Sequence, residues 1–284
     1  VKGFEARGVI FVDELEDVPE GAHAILSAHG VAPSVFEDAK KRSLNVIDAT
    51  CPLVTKVHLE AHRFVREGYH IILIGHEGHD EVIGTMGQAD GHVTLIEDED
   101  QARSKPVPDD GKLVVLTQTT LGVDDTDGIR KVLKQRFPQL EMPPKDDICY
   151  ATQNRQDAIK EMGQRGIDLL LVVGSPNSSN AARLVEVGKA RGARSFLIDS
   201  ADEILPEWLE GVESAAVSSG ASTPEDVLEA VLARVRELGG GPVELITTVE
   251  EDVTFSIPPS LKRDVDAMRQ AAGSGSLATG GDAE

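Results

Sequence analysis

The stretch from residue 169 to residue 180 reads Leu-Leu-Leu-Val-Val-Gly-Ser-Pro-Asn-Ser-Ser-Asn. Its consecutive apolar residues, Leu169–Val173, are typical of a strand buried on both faces of a parallel sheet. The small polar residues that follow suit a loop leading into a helix, and ligands of open α/β sheets bind beyond the carboxyl ends of the strands. The stretch therefore predicts an α/β fold with a candidate binding loop at 174–180.

Four other short apolar runs repeat this pattern. Each is followed by a small polar loop and then by an amphipathic stretch of helical period, which indicates repeated βα units. The loops after all five runs are candidate site positions, because helix amino-termini there present free N–H groups. The four runs are 24–26, 71–74, 113–116 and 215–217.

Length and charge exclude several functional classes. The chain has 284 residues, of which 40% are hydrophobic, and so it can bury a substantial core. Its formal net charge of −21 gives an acidic surface that repels nucleic-acid phosphates and anionic lipid headgroups. The apolar runs are far shorter than the roughly 20 residues of a membrane-spanning helix. We therefore expect a cytoplasmic protein without nucleic-acid or membrane partners.

The two cysteines, Cys51 and Cys149, are 98 residues apart and keep similar distances to the loops that follow them. The first interval is 28 residues in one case and 29 in the other, and the second is 68 and 73. This spacing indicates that each cysteine begins a unit with two strand-end loops. The residues at the matched positions are His79 and Ser178, then Thr119 and Ser222.

By the same spacing, His29 lies in the second loop of an earlier unit, whose cysteine would precede residue 1. We therefore expect an upstream coding segment with a third cysteine. If the cysteines hold a metal cluster together, the present chain alone should bind that cluster poorly. The predicted domains are a partial first α/β domain at 1–51, a second at 52–148 and a third at 149–235. The predicted C-terminal region, 236–284, comprises a strand-like return segment at 249–257 and a disordered tail from 271.

Three interpretations suit the cysteines. A lone cysteine is most often a small buried hydrophobe, and a redox disulfide is a second option. Matched positions in repeated units favour metal ligands instead. Three thiolates, counting the expected upstream one, suit an iron–sulfur cluster with one open iron.

The segment Gly-His-Glu-Gly-His-Asp-Glu at 75–81 is dense in titratable groups. A zinc site at His76 and His79 and a solvated loop are both compatible with this composition. Glu81 favours proton chemistry, because partial burial at a strand end would raise a carboxyl pKa toward neutrality. The alternative is that Glu81 caps a helix.

Hydroxyl and amide side chains at apparent helix starts form a second candidate group. Taken singly they are good N-caps, whereas together with free helix N–H groups they would cradle a phosphate or diphosphate. The residues at the apparent helix starts are Ser178, Ser179, Asn180 and Ser222. His29, Thr119 and Thr120, in other strand-end loops, would join them in the cradle. The other histidines, expected on surfaces or helix faces, are His23, His58, His62, His70 and His92.

The segment Asp-Ala-Thr-Cys-Pro-Leu-Val-Thr-Lys-Val-His at 48–58 resembles the cluster-cysteine segment of the 4-hydroxy-3-methylbut-2-enyl diphosphate reductase family. The resemblance runs in order from residue 1 to about residue 260. An amino-terminal Gly-Phe-Cys block and a following His-Asn segment of the family have no counterpart, so one cluster cysteine and one diphosphate-binding histidine are missing. Other matching stretches are 27–31, 75–88, 117–121, 147–156, 174–180 and 220–222.

The resemblance implies a trefoil of three similar α/β domains, the first incomplete here, around a central [4Fe-4S] cluster. It implies reductive dehydroxylation of an allylic diphosphate to isopentenyl and dimethylallyl diphosphate, the last step of the non-mevalonate isoprenoid pathway. A ferredoxin- or flavodoxin-type protein would supply electrons.

Matched by motif, the resemblance gives these residues roles. Cys51 and Cys149 would be cluster ligands, and Glu81 would be the proton donor. His79 and Thr119 would line the pocket near the reacting carbon. The diphosphate would be held by His29, Ser178, Ser179, Asn180 and Ser222.

Two further functions compete with this one. A diphosphate-binding module could have lost redox activity with its first cysteine. A phosphosugar isomerase built on serine-rich loops would need no metal, but it leaves the cysteine spacing unexplained.

Overall fold

The computed structural model describes residues 2–108, 111–143, 147–255, 257, 261–263, 265–266 and 269. Strands and helices alternate along this part of the chain, which confirms the α/β class. The strands are β1 His23–Leu26, β2 Asn45–Asp48, β3 Tyr69–Ile74, β4 Val93–Ile96, β5 Lys112–Thr117, β6 Leu169–Val173, β7 Arg194–Ile198 and β8 Ala215–Ser219. The helices are α1 Lys2–Glu5, α2 Pro33–Lys41, α3 Pro52–Arg66, α4 Asp80–Gln88, α5 Glu99–Ser104, α6 Val123–Arg136, α7 Tyr150–Gln164, α8 Ser179–Ala190 and α9 Glu225–Glu237.

The strands form three separate sheets, with the orders β1-β2, β4-β3-β5 and β7-β6-β8. β1 pairs with β2 in parallel, and β6 pairs in parallel with both β7 and β8. All five residues of the central strand β6 are fully buried, as are residues 71–74 of β3. Helices covering both faces of a parallel sheet explain why these central strands are uninterrupted apolar runs.

Each of the five predicted strands is present. Three strands that the sequence analysis did not predict are β2, β4 and β7, each at the end of its sheet. None of the three is buried along its whole length, and each includes polar side chains, for example Asn45 and Asp48 in β2. A strand with one paired edge does not need the apolar run by which the central strands were recognised.

The chain divides into two compact units. One comprises residues 1–71 and 77–93 with the described part of 253–284, and the other comprises 72–76 and 94–252. The three sheets fall one in each of the spans 1–51, 52–148 and 149–235. The three-domain boundaries themselves stay a prediction.

The expected strand at 249–257 is absent from the described residues 249–255 and 257. Val249, Val253 and Phe255 are each about half exposed there, so the segment lies along the surface. A hydrogen bond of 2.9 Å from Asn154 Nδ2 to Glu251 Oε1 ties it to α7. Apolar composition alone does not make a strand when the backbone has no neighbouring strand to pair with. The predicted disordered tail, 271–284, lies outside the described residues.

Among the described helices, none is both long enough and apolar enough to cross a membrane.

Candidate active site

Cys51 and Cys149 occupy the same local position in their two units. Each is the N-cap of a 15-residue helix, α3 or α7, and each thiol is free and half-buried. The backbone N–H of Cys51 donates to Ala28 O at 2.9 Å, and that of Cys149 donates to Thr119 O at 2.8 Å. Both bonds tie a helix start to a strand-end loop, so each cysteine has a fixed place beside one candidate binding loop.

The loop after β3 leads directly into α4. His79 is the N-cap of this helix, and its Nδ1 accepts a bond of 3.2 Å from the backbone N–H of Glu81. The N-cap is therefore His79, and Glu81 lies in the first turn of the helix. Because Nδ1 accepts, the neutral His79 ring has its proton on Nε2, which makes Nε2 a donor. Glu81 is 1% exposed, whereas the neighbouring Asp80 side chain is 70% exposed.

His29 lies at the surface in the same unit. Its Nδ1 is 3.1 Å from Ser27 Oγ and 3.5 Å from Asp80 Oδ2. Its ring meets the ring of His79 edge to face, with the centroids 5.5 Å apart. The structure thus brings the imidazoles of His29 and His79 together at the start of α4, the helix in which Glu81 is buried.

The loop after β6 places three candidate residues at the start of α8. Ser178 is the N-cap, and its Oγ accepts a bond of 3.3 Å from the N–H of Ala181. Asn180 is 6% exposed, and within the described chain neither Oδ1 nor Nδ2 of its side chain has a hydrogen-bond partner. Buried amides are nearly always paired, so this orphaned side chain is typical of a site for a polar ligand.

Ser222 does not lie at a helix start. α9 begins at Glu225 with Pro224 as its N-cap, and Ser222 is exposed in the loop before it. The hydroxyl of Thr223 instead donates to Val173 O at 2.9 Å and fixes that loop to the end of β6. Ser178 Oγ is 3.6 Å from the place where Gly220 would have a Cβ, so the two loops are close neighbours.

The loop after β5 holds a hydrogen-bonded series of side chains. Gln118 Oε1 accepts from the N–H of His76 at 3.0 Å, and Gln118 Nε2 donates to Thr120 Oγ1 at 2.7 Å. Thr120 Oγ1 is in turn 3.2 Å from Ser179 Oγ. Thr119, which lies between Gln118 and Thr120 in the sequence, is buried. The series joins Thr120 to the start of α8 and aligns two of the predicted binding loops.

Three buried polar residues were missed or misread from the sequence. Gln118 follows a fully apolar strand, and that position could have marked it as buried. Asp147 Oδ2 accepts from the N–H of Thr117 at 3.1 Å and supports the approach to Cys149. His58, expected on a surface or helix face, is on the buried face of α3. Burial lowers the pKa of His58, and nearby His62 lowers it further while Asp48 opposes them.

Within the described residues no group of three or more His, Cys, Asp or Glu side chains is gathered to hold a metal ion. Cys51 belongs to one unit and Cys149 to the other. Their thiols nevertheless fit a soft, sulfur-preferring iron group, because both are free and both cap helices.

Comparison with known proteins identifies the family of the chain. The family described as LytB protein matches residues 1–236. A 4-hydroxy-3-methylbut-2-enyl diphosphate reductase of Streptomyces avermitilis is 54% identical over 272 residues, which is 95% of this chain and 80% of the relative. The enzyme of that name from Leifsonia xyli subsp. xyli is 52% identical over 95% of this chain and 80% of its own.

A solved structure gives the same result for the fold. The E-1-hydroxy-2-methyl-but-2-enyl-4-diphosphate reductase of Plasmodium falciparum has a TM-score of 0.87 and 37% identity, covering 94% of this chain and 85% of that one. The chain therefore belongs to the LytB family.

Proposed function

We propose that the chain is the reductase that converts 4-hydroxy-3-methylbut-2-enyl diphosphate into isopentenyl and dimethylallyl diphosphate, the last step of the non-mevalonate pathway. Membership of the LytB family and relatives more than half identical with that enzyme name support this function. The reaction adds two electrons and two protons to the allylic alcohol and releases water. A ferredoxin- or flavodoxin-type protein is the proposed electron donor.

Cys51 and Cys149 are the proposed ligands of a [4Fe-4S] cluster. Thiolates are the ligands that such clusters use. Such a cluster would supply single electrons and the Lewis acidity of iron at this site. Backbone bonds of both cysteines to Ala28 and Thr119 hold the thiols beside loops that we assign to substrate binding.

The unpaired Asn180 side chain is the observation that best supports diphosphate binding. A buried amide with neither atom paired is costly unless a ligand satisfies it. It lies in the first turn of α8, where free N–H groups favour anions. Ser178 and Ser179 share this helix start, and Ser222 and His29 complete the proposed diphosphate set.

Glu81 is the proposed proton donor to the departing hydroxyl. Its side chain is buried, and its backbone N–H donates to Nδ1 of His79 and so orients that ring. Thr119, buried beside the backbone of Cys149, lines the pocket next to the reacting carbon in this proposal. His79 and Thr119 thus orient the substrate oxygen, and Glu81 delivers the proton.

The test is product formation by protein expressed from its natural start codon and reconstituted anaerobically with iron and sulfide. With synthetic 4-hydroxy-3-methylbut-2-enyl diphosphate and an artificial one-electron reductant, we expect both isomeric products. The experiment should be run beside a diphosphate-binding titration. Tight binding without product, by protein with a full iron and sulfide content, would contradict the reductase and favour a binding module.

A further inference from the structure

Two buried polar residues take equivalent places on the helices that the cysteines begin. His58 follows Cys51 by seven residues, and Gln156 follows Cys149 by seven. Seven residues are two helical turns, so each lies on the same helix face as its cysteine. His58 is 9% exposed and Gln156 is 1% exposed.

The His58 side chain packs against the loop that contains His29. Gly30, the next residue after His29, has a φ of +76°, and a methyl group there would lie 2.5 Å from Cε1 of His58. Nδ1 of His58 is 3.2 Å from Gln88 Nε2, which also donates to Val31 O at 2.9 Å. The imidazole and the Gln88 amide together fix this loop between α3 and α4.

Gln156 makes the corresponding contact in the other unit. Gly122, the N-cap of α6, lies so close that a methyl group there would overlap Gln156 Oε1. One turn earlier on α7, Gln153 Oε1 accepts from the N–H of Val123 at 3.1 Å. α7 thereby fixes the chain that leaves Thr119 and Thr120.

Packing alone does not explain these residues. His58 Nε2 and Gln156 Nε2 are both buried with no hydrogen-bond partner among the described residues. An aliphatic side chain of similar size would fill either place without burying an unpaired nitrogen. A shared requirement for a polar side chain next to a loop glycine, repeated at the same spacing, indicates a shared task.

We infer that His58 and Gln156 are equivalent positioning residues, each setting the distance between a cysteine-bearing helix and the substrate-contacting loop beside it. His58 acts through Gly30 on His29, and Gln156 acts through Gly122 on Thr119 and Thr120. This inference rests on the proposed function. It assigns the two residues different kinetic effects, because one loop holds diphosphate and the other lies beside the reacting carbon.

The test uses His58→Leu and Gln156→Leu in the reconstituted protein. We expect His58→Leu to raise KM about tenfold with kcat little changed, because diphosphate binding is used equally in the ground and transition states. Gln156→Leu should instead lower kcat about tenfold with KM little changed. Iron content should equal that of wild type in both variants.

Two matched controls exist on the same helices. His62→Leu and Gln164→Leu make the same chemical changes at exposed positions, and both should leave KM and kcat unchanged. The exchange variants His58→Gln and Gln156→His keep a polar group of similar reach and should recover most of the lost function. If a leucine variant does not fold, the exchange variant at the same position is assayed in its place.

Unchanged KM and kcat in the folded leucine variants, with only a lower Tm, would overturn the inference, and so would exchange variants that recover none of the lost function. A wild-type protein without product would instead defeat the proposed function. Positioning is then judged by amide hydrogen exchange of Gly30 and Leu121, which lie in the two loops. Exchange faster than in the control variants supports it, and equal exchange rejects it.

Discussion

At the scale of single residues, a substitution of Asn180 should affect diphosphate binding and protein stability differently. Its buried, unpaired amide destabilises the free protein and becomes useful only when a ligand supplies partners. Asn180→Ala should therefore weaken diphosphate binding by about 1.5 to 3 kcal/mol, the range for a hydrogen bond to a charged group. The same variant should be at least as stable as wild type, because it removes the unpaired group.

Isothermal titration and thermal melts measure the two effects. Asn45→Ala is the matched control, since Asn45 is exposed and its amide donates to Gly21 O. A variant that binds diphosphate as tightly as wild type would remove Asn180 from the binding set.

Glu81 is the second residue with a decisive substitution. Glu81→Gln keeps the shape of the buried side chain but loses the transferable proton, so turnover should fall about 10² to 10⁴ fold with substrate binding retained. Anaerobic steady-state assays measure this, with Glu37→Gln on the exposed face of α2 as control. Near-normal turnover would exclude Glu81 as the proton donor and favour His79.

His58 gives the protein a pH-dependent stability. Burial holds its pKa in the folded state below its ordinary value near 6.5. As the pH falls through 6.5, the unfolded chain binds a proton that the folded chain does not, so the free energy of unfolding decreases. The decrease stops once the pH is below the pKa of folded His58.

His58→Gln should therefore have a flatter dependence of unfolding free energy on pH below neutrality. Urea unfolding at a series of pH values measures it, and the difference from wild type isolates His58. His70, whose pKa burial also lowers, contributes equally to both curves. Parallel curves for variant and wild type would show that His58 does not titrate differently on folding.

At the scale of elements, burial decided what the sequence could predict. Central strands such as β6 are buried on both faces and must be continuous apolar runs, so they were predicted almost to the residue. β7 at a sheet end is partly buried and carries Arg194 and Ser195, which hide the strand signal. Helix starts were predicted where a serine caps them, as at Ser178, but not where Pro224 does.

Gly188 in α8 tests the packing of that helix on its sheet, and Gly128 in α6 is the comparison. A methyl group on Gly188 would overlap Leu170 and lie 2.5 Å from Ser195 Oγ, both in the sheet beneath. A methyl group on Gly128 of α6 would meet only the flexible end of Glu99.

Gly188→Ala should therefore lower the free energy of unfolding by about 1 to 3 kcal/mol, as overpacking does. Gly128→Ala should raise it by up to about 1 kcal/mol, because alanine is the better helix former. Chemical denaturation of both variants gives the comparison. A loss at Gly128 as large as that at Gly188 would show that helix packing is not the cause.

At the scale of the whole molecule, sequence spacing and structural contacts supply different parts of the site. Spacing alone paired Cys51 with Cys149, and the structure gives both the same N-cap position and the same backbone bond to a loop. Contacts between distant parts of the chain could not be predicted from the sequence. Gln118 joins His76 to Thr120, and His58 meets Gly30, only because the fold brings separate strand ends and helices together.

Both Cys51 and Cys149 are proposed ligands of one cluster. Cys51→Ala and Cys149→Ala should each remove most of the iron and the activity, because a cluster that loses a thiolate exposes an iron to solvent. The double variant should be no worse than either single one. The fold should survive in all three, because the backbone hydrogen bonds of both cysteines do not need the thiol and neither thiol is in a disulfide.

Iron and sulfide content, with circular dichroism of the metal-free proteins, measures these outcomes. Ser222→Ala is the contrast, since it should keep the iron while weakening diphosphate binding. Full iron in one cysteine variant would show that its thiol is not a ligand, and that the matched spacing reflects only repeated architecture. Loss of iron in both, with secondary structure retained, would mean that one metal group depends on both of these equivalent helix starts.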